Sequence, residues 1–428
     1  MSIEVIKYPH RKDWEKIIAR PAIDNTSLFE SVKNILEDIR LNGDRAVATY
    51  SEKFDKVVLD RFSVSPDEMD DAEQLVSGDL KSAIRLAATH IEIFHRSQQL
   101  VSQKIETAPG VVCWQTAVGI EKVGLYIPGG TAPLFSTVLM LAIPARIAGC
   151  REIVLCTPPA KDGEIHPAIL FAAKEAGVTQ IFKIGGIQAI AAMTYGTETV
   201  PNVYKIFGPG NQYVTAAKQL VALRDVAIDM PAGPSEVEVI ADDSANPAFV
   251  AADMLSQAEH GTDSQAILAT ACENIVEKVV AEIKQQLDKL PRKGFAEQSL
   301  KNSRIIVLKD CDELVDFTNA YAPEHLIIET KDHATLADRI INAGSVFLGH
   351  FTPESAGDYA SGTNHTLPTN GYARMYSGVN LDSFVKKITF QEISQQGIRN
   401  IGQAIEIMAQ AESLQAHSNA VTLRMKHN

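Results

Sequence analysis

Apolar positions follow two different rhythms along this chain. From 27 to 105 they recur at helical spacing. Phe29, Val32, Ile35, Leu36 and Ile39 line one side of a helix that Asn42-Gly43 ends, and Ile84, Leu86, Ala87, Ile91 and Phe94 mark a second helical stretch over 79–103. From about 120, short β-branched runs alternate with helical patterns. Strands are expected at 123–127, 152–156, 180–184 and 203–207, with helices running to 148 and over 166–176, 187–195 and 212–223. A second block repeats the alternation, with strands at 236–241, 265–270, 304–308, 326–329 and 345–348 and helices at 247–260, 273–289, 312–320 and 333–342. Such alternation predicts two parallel sheets covered by helices. Residues 1–25 are polar and read as an arm or small docking segment. Residues 351–380 are rich in Gly, Ser, Thr and Pro, and a loop that long within a compact protein is usually functional. A final amphipathic helix is expected over 398–416.

Bulk properties narrow the class. At 428 residues more than one domain is the default, and 45% apolar with 22% charged residues is a globular composition. The net charge of −13 argues against non-specific nucleic-acid or acidic-membrane binding, because no basic stretch offsets it. Five cysteines without CxxC spacing suggest reduced thiols in a cytoplasmic protein and no zinc-thiolate cluster. The charged N-terminus lacks the apolar core of a secretory signal. The longest apolar run, 134–148, is broken by Pro144 and Arg146, so no membrane span is expected.

The residues able to carry chemistry sit in three runs: Gln257-Ala-Glu-His260-Gly261, Asn319-Ala-Tyr-Ala-Pro-Glu324-His325, and Ser355 to His365 with Asp358 inside it. They place an amide, imidazoles and carboxylates within Gly-rich, otherwise apolar sequence, where polar groups are costly without partners. Asn246 and Pro247 suit the start of the 247–260 helix and Gly261 its end. Gln257 and His260 then project from one face of its last turn and can share a divalent ion. The plainer alternative is a His stabilised by the helix dipole beside a solvated Gln. Glu324-His325 marks a helix-to-strand junction suited to proton transfer, or else a surface turn with two solvated side chains. Three Gly turns follow strands: 124–130, Gly185-Gly186 and Gly208-Pro-Gly210-Asn211. None is a complete GxGxxG, but their positions at successive strand ends favour a shared crevice. Cys113 and Cys150 could serve as thiol nucleophiles, although buried inert thiols fit their apolar context better.

Six strings, taken in order, are more specific: 124–130, Phe207-Gly-Pro-Gly-Asn211, 229–236, Asp253 to His260, Tyr321-Ala-Pro-Glu-His-Leu326 and Gly357 to His365. Together they resemble the histidinol dehydrogenase family from about residue 25 to the end. The resemblance implies NAD-dependent, four-electron oxidation of L-histidinol through bound histidinal to L-histidine, the last steps of histidine biosynthesis. It implies an α/β fold of two incomplete Rossmann-like, doubly wound units, similar to that of aldehyde dehydrogenases, with small terminal dimerisation segments. The domains expected are an arm at 1–25, a metal and catalytic unit at 26–122 plus 236–380, an NAD-binding unit at 123–235, and a C-terminal segment at 381–428 intertwined with the partner in a homodimer.

By the same resemblance one zinc ion per subunit is held by Gln257, His260, Asp358 and His417. These four, with Ser235, His325 and Glu412, also bind substrate, and His365 lines the pocket. Glu412 and the last zinc ligand are expected to come from the partner subunit. Tyr126, Gln188 and Asn211 map to NAD contacts, and Glu324 and His325 to the acid–base pair. Two rivals would keep parts of this pattern: a zinc- or NAD-dependent dehydrogenase for another amino alcohol, and a metal-binding protein without catalysis.

Overall fold

In the computed structural model, residues 3–21, 26–129, 132–231 and 233–426 are described. Gly130 and Ala232, both within the strings above, lie outside them. Two parallel sheets form the frame. One has five strands in the order Gln180–Lys183, Glu152–Thr157, Lys122–Tyr126, Lys205–Phe207, Ala227–Ile228. The other has six, in the order Glu4–Lys7, Arg304–Val307, Gln265–Thr270, Glu236–Ala241, His325–Glu329, Ser345–Leu348. Their central strands are buried on both faces, which explains why they read as continuous apolar runs. In each sheet the chain builds outward from a first strand, then returns to that strand's other side. The switch lies between Lys122–Tyr126 and Lys205–Phe207 in one, and between Glu236–Ala241 and His325–Glu329 in the other.

Several expectations need correction. Gly43 does break the first helical stretch, with φ 52° and ψ −136°, but helix resumes to Phe54. The helices of 26–96 do not belong with the 236–380 unit. Val32, Leu36 and Ile39 close over the helix Gly186–Tyr195 and its neighbours, while Ile84, Ala87 and Ile91 pack with the helix Phe135–Ala148. They therefore complete the core of the five-stranded unit. The supposed arm is also structural: Glu4–Lys7 adds a parallel edge strand beside Arg304–Val307. Gly261 is not the helix cap, since Pro247–Ala258 ends on Glu259 in right-handed conformation; Asn246 and Pro247 hold their expected places.

A third, antiparallel sheet stands apart from the two frames. Val111–Gly119 pairs with Ile105–Ala108 on one side and Val385–Ile393 on the other. The chain then closes with two helices, Gln395–Ala411 and Gln415–Lys426, where the periodicity had suggested one.

One buried acid has a measurable consequence. Glu238, in the central strand Glu236–Ala241, is fully enclosed; Thr318 Oγ1 donates to its Oε1 at 2.8 Å, and Oε2 has no protein partner. Burial pushes its carboxyl up from 4.5 to about 8. Between those values the folded chain holds a proton that the unfolded chain has lost, so stability falls as pH rises. Thermal unfolding of Glu238→Gln is expected to show a stability gain over the parent that grows from pH 5 to pH 8, by at most about 1.4 kcal/mol per pH unit. A pH-independent difference would show that the parent's Glu238 is already ionised.

Candidate active site

The N-terminal edge of the six-stranded sheet brings the chemistry together. Pro323 and the left-handed Ala322 (φ 54°) turn the chain out of the helix Cys311–Tyr321 and into the strand His325–Glu329. This places Glu324 and His325 beside Glu236, the first residue of the neighbouring strand. The Glu236 amide donates to Glu324 Oε2 at 2.9 Å, and its carbonyl lies 3.3 Å from His325 Nδ1. A carbonyl only accepts, so this contact puts the imidazole proton on Nδ1. Nε2 is left as a lone pair with no protein partner, and it faces Asp358 Oδ1 at 3.8 Å. Burial pushes His325 down to about 3, so the ring stays neutral. Burial drives the Glu324 carboxyl the other way, well above the ordinary carboxylate range.

A cluster able to hold a cation adjoins this pair. Donor atoms of His260, Glu354 and Asp358 all lie within 4.8 Å of one another. His260 sits just past the helix Pro247–Ala258, at the exposed rim. Glu354 and Asp358 lie on one short helix, Glu354–Tyr359, four residues apart and so on one face. Gln257 lies on the helix that leads to His260; it is wholly buried, yet both its amide atoms lack protein partners. Burial raises Asp358 to about 6 and lifts Glu354 well above its usual range. Buried, unpaired N and O donors of this mixed kind suit a borderline divalent ion such as zinc. Glu354 escaped the sequence reading, although its four-residue spacing from Asp358 was there to be used.

The loop beyond Asp358 is fastened to the other unit. His365 Nδ1 lies 2.9 Å from the Asp358 carbonyl and Nε2 3.1 Å from Thr137 Oγ1. Asn364 donates to the Met140 carbonyl at 2.6 Å, and His90 Nδ1 meets the Ala360 carbonyl at 2.7 Å. Ser235 immediately precedes Glu236 and is half-buried. Glu412 and His417 are exposed, in the C-terminal hairpin of helices; the cation-capable group does not include His417.

Three expected cofactor residues lie at the C-terminal edge of the five-stranded sheet. Tyr126 ends the first strand, and its hydroxyl accepts from the Gly186 amide at 3.1 Å. Gln188, fully buried, donates to Asp55 Oδ2 at 2.9 Å and leaves Oε1 unpartnered. Exposed Asn211 caps the next helix, accepting from the Tyr213 and Val214 amides. At Gly208 a Cβ would come within 2.0 Å of the Tyr126 carbonyl oxygen, so only glycine fits there. Lys218 and Asp229, an almost fully buried pair, clamp that turn: Lys218 donates to the Gly208 carbonyl at 2.7 Å and Asp229 accepts from its amide at 2.8 Å. The crevice between these loops is the place where doubly wound sheets accept nucleotides, and its glycine turns fit a dinucleotide.

Two doubly wound sheets, one with glycine turns at its switch point and the other with a neutral histidine beside carboxyl groups, make a frame suited to an oxidoreductase. Residues 18–425 match the family model described as histidinol dehydrogenase. The chain belongs to the histidinol dehydrogenase family. It is 66% identical to the histidinol dehydrogenase of Bacteroides thetaiotaomicron over 99% of both chains. It is 51% identical to the chloroplastic enzyme of Arabidopsis thaliana, over 96% of this chain and 89% of that one. The solved histidinol dehydrogenase of Elizabethkingia anophelis superposes with a TM-score of 0.98 at 56% identity, covering 99% of this chain and 98% of that one.

The placement of Glu354 generates a test. Glu354→Gln is expected to weaken the hold on added zinc by about 10–100-fold, read by dialysis against a chelator followed by elemental analysis. Unchanged retention would remove Glu354 from the ion's surroundings.

Proposed function

We propose that this chain is a zinc-containing, NAD-dependent enzyme that oxidises L-histidinol through bound histidinal to L-histidine. The observation that carries the reading is the free Nε2 of neutral, buried His325 beside the cation-capable cluster. NAD supplies the hydride acceptor for each oxidation, and zinc a template that the substrate's imidazole and amino nitrogens can complete. Gln257, His260 and Asp358 would hold the ion, with His417 of the partner subunit. Tyr126, Gln188 and Asn211 would hold NAD.

His325 Nε2 takes the hydroxyl proton of histidinol as the carbinol carbon loses hydride, giving the aldehyde. Glu324 directs water to that carbonyl, giving the hydrate. His325 then takes a hydrate proton as the second hydride leaves, giving the carboxylate. One histidinol and one water thus yield one histidine, two hydrides and three protons. No thiol is needed, and burial holds Cys150 up at about 12, far from a ready nucleophile.

The same reading makes the enzyme a homodimer with shared sites, in which Glu412 and His417 reach the partner. Along Val385–Ile393 the strand is exposed, with Ile388, Phe390 and Ile393 each 39–40% accessible. Ile407, Met408 and Leu423 on the closing helices are more exposed still. Large apolar side chains left in water at this density favour burial against a second copy. Among the described residues no helix is long and apolar enough to cross a membrane. A cytoplasmic location fits the free cysteines.

Limiting L-histidinol with excess NAD should give two NADH per substrate with little free aldehyde. One NADH would mean a simple alcohol dehydrogenase, and none in folded, zinc-loaded protein would favour a binding function. His325→Asn should lower kcat by about 10²–10⁴-fold with zinc retained; a near-normal rate would dismiss it as the base. Mixing inactive His260→Ala and His417→Ala chains should restore activity if His417 crosses over. No recovery after verified subunit exchange would place His417 in its own chain's site.

A further inference from the structure

Arg20 lies in the segment whose polar sequence suggested a peripheral arm, yet its side chain is buried beneath the acid–base pair. Its Nε and Nη2 donate to Glu236 Oε2 and Oε1 at 2.7 and 2.8 Å, a two-pronged contact in which the side chains are only 9% and 1% exposed. Nη2 also donates to the Tyr321 carbonyl at 2.7 Å, and the guanidinium carbon stands 4.0 Å from the centre of the Tyr321 ring. Tyr321 is held in turn, its hydroxyl donating to Gln265 Oε1 at 2.9 Å, while Gln265 Nε2 reaches back to the Ala19 carbonyl at 3.3 Å. The guanidinium thus joins the end of the helix that leads into Glu324 to the start of the strand that faces it.

Glu236 is where that fastening matters. Its side chain is taken by Arg20, and its two backbone groups are taken by Glu324 and His325. A small shift of the Glu236 backbone would move both hydrogen bonds at once. Salt bridges buried this deeply add little net stability over apolar replacements, so stability alone is a weak reason for the arrangement. The rigid, planar fork of arginine fixes a carboxylate's orientation in a way that a lysine ammonium does not.

We propose that Arg20 is a positioning residue for the reaction: by fixing the orientation of Glu236 it sets the backbone amide and carbonyl that aim Glu324 and His325. Arg20 touches neither reacting atom. The proposal rests on the histidinol-oxidising role assigned above to the Glu324–His325 pair.

The test uses the zinc-loaded full-length enzyme and three variants, Arg20→Lys, Arg20→Ala and Glu236→Gln. Each is checked for folding by circular dichroism and for zinc content before kinetics. Arg20→Lys keeps the charge but loses the fork, and is expected to lower kcat about 10- to 100-fold, with KM for histidinol and NAD and zinc content close to the parent's. Added guanidinium at millimolar concentration should restore part of the kcat of Arg20→Ala. Folded Arg20→Lys with kcat within about twofold of the parent would overturn the proposal, as would an activity loss confined to higher KM or to lost zinc. If Arg20→Ala does not fold, Arg20→Lys and Glu236→Gln carry the decision. Normal kcat in both overturns the proposal, and a kcat-specific loss in both supports it. Failure of the underlying functional reading would look different, since the parent enzyme itself would then produce no NADH from histidinol.

Discussion

Charge in a dry place is the constraint around which this molecule is arranged. Glu324, Glu354 and Asp358 are gathered with His260, His325 and His365 in one cleft, and the buried acids Asp253 and Glu329 neighbour one another beside Glu354. Water that would stabilise ionised carboxylates is largely excluded, so each of these acids is pushed toward its protonated form, Asp253 to about 6 and Glu329 to about 8. The same desolvation keeps the histidines neutral. A group of acids and neutral imidazoles can satisfy itself with protons or with a cation. The unpartnered amide of Gln257 and the unpartnered Nε2 of His325 show how far the protein atoms alone fall short of doing so.

This explains why the site is built at the edges of sheets rather than on free loops. The chain leaves the five-stranded sheet after Ala227–Ile228 and enters the six-stranded one at Glu236, so the C-terminal edge of the first meets the N-terminal edge of the second. Strand ends supply backbone amides and carbonyls whose directions the sheet already fixes. Glu324 and His325 draw on that supply through the backbone of Glu236, while the Gly186 and Gly208 amides are fixed by the Tyr126 hydroxyl and the Asp229 carboxylate. Side chains that must act with sub-ångström accuracy are thereby tied to the least mobile part of the fold.

Much of this was legible in the sequence. The strands and helices of 123–223 and 236–348 announce themselves because strands buried on both faces are β-branched runs, cut off by Gly, Pro or Asn. Asn246-Pro247 marks its helix start unambiguously. What failed has a common cause. An apolar stripe says that a face is buried but not against what, so the helices of 26–96 were assigned to the wrong sheet. Glu4–Lys7 is too short and too polar to declare itself an edge strand, and Val385–Ile393 finds its partner 111–119 only in three dimensions. Arg20 and Glu354 are single charges in polar or irregular stretches, and their importance lies wholly in what they touch. Glu412 and His417 are exposed on their own chain, so only family resemblance gives them a role.

The fastening of the 358–366 loop bears on how the molecule can move. Asn364 and His365 grip the helix Phe135–Ala148 at Met140 and Thr137, and Ala360 is held by His90 from the helix Gly78–Arg96. Asp358 sits at the root of that loop. Wide hinge-opening between the units would therefore have to drag Asp358 out of its cluster or break this set of bonds. The two units are thereby tied into one body on either side of the cluster, and whatever enters must fit the space they leave rather than pry it wider.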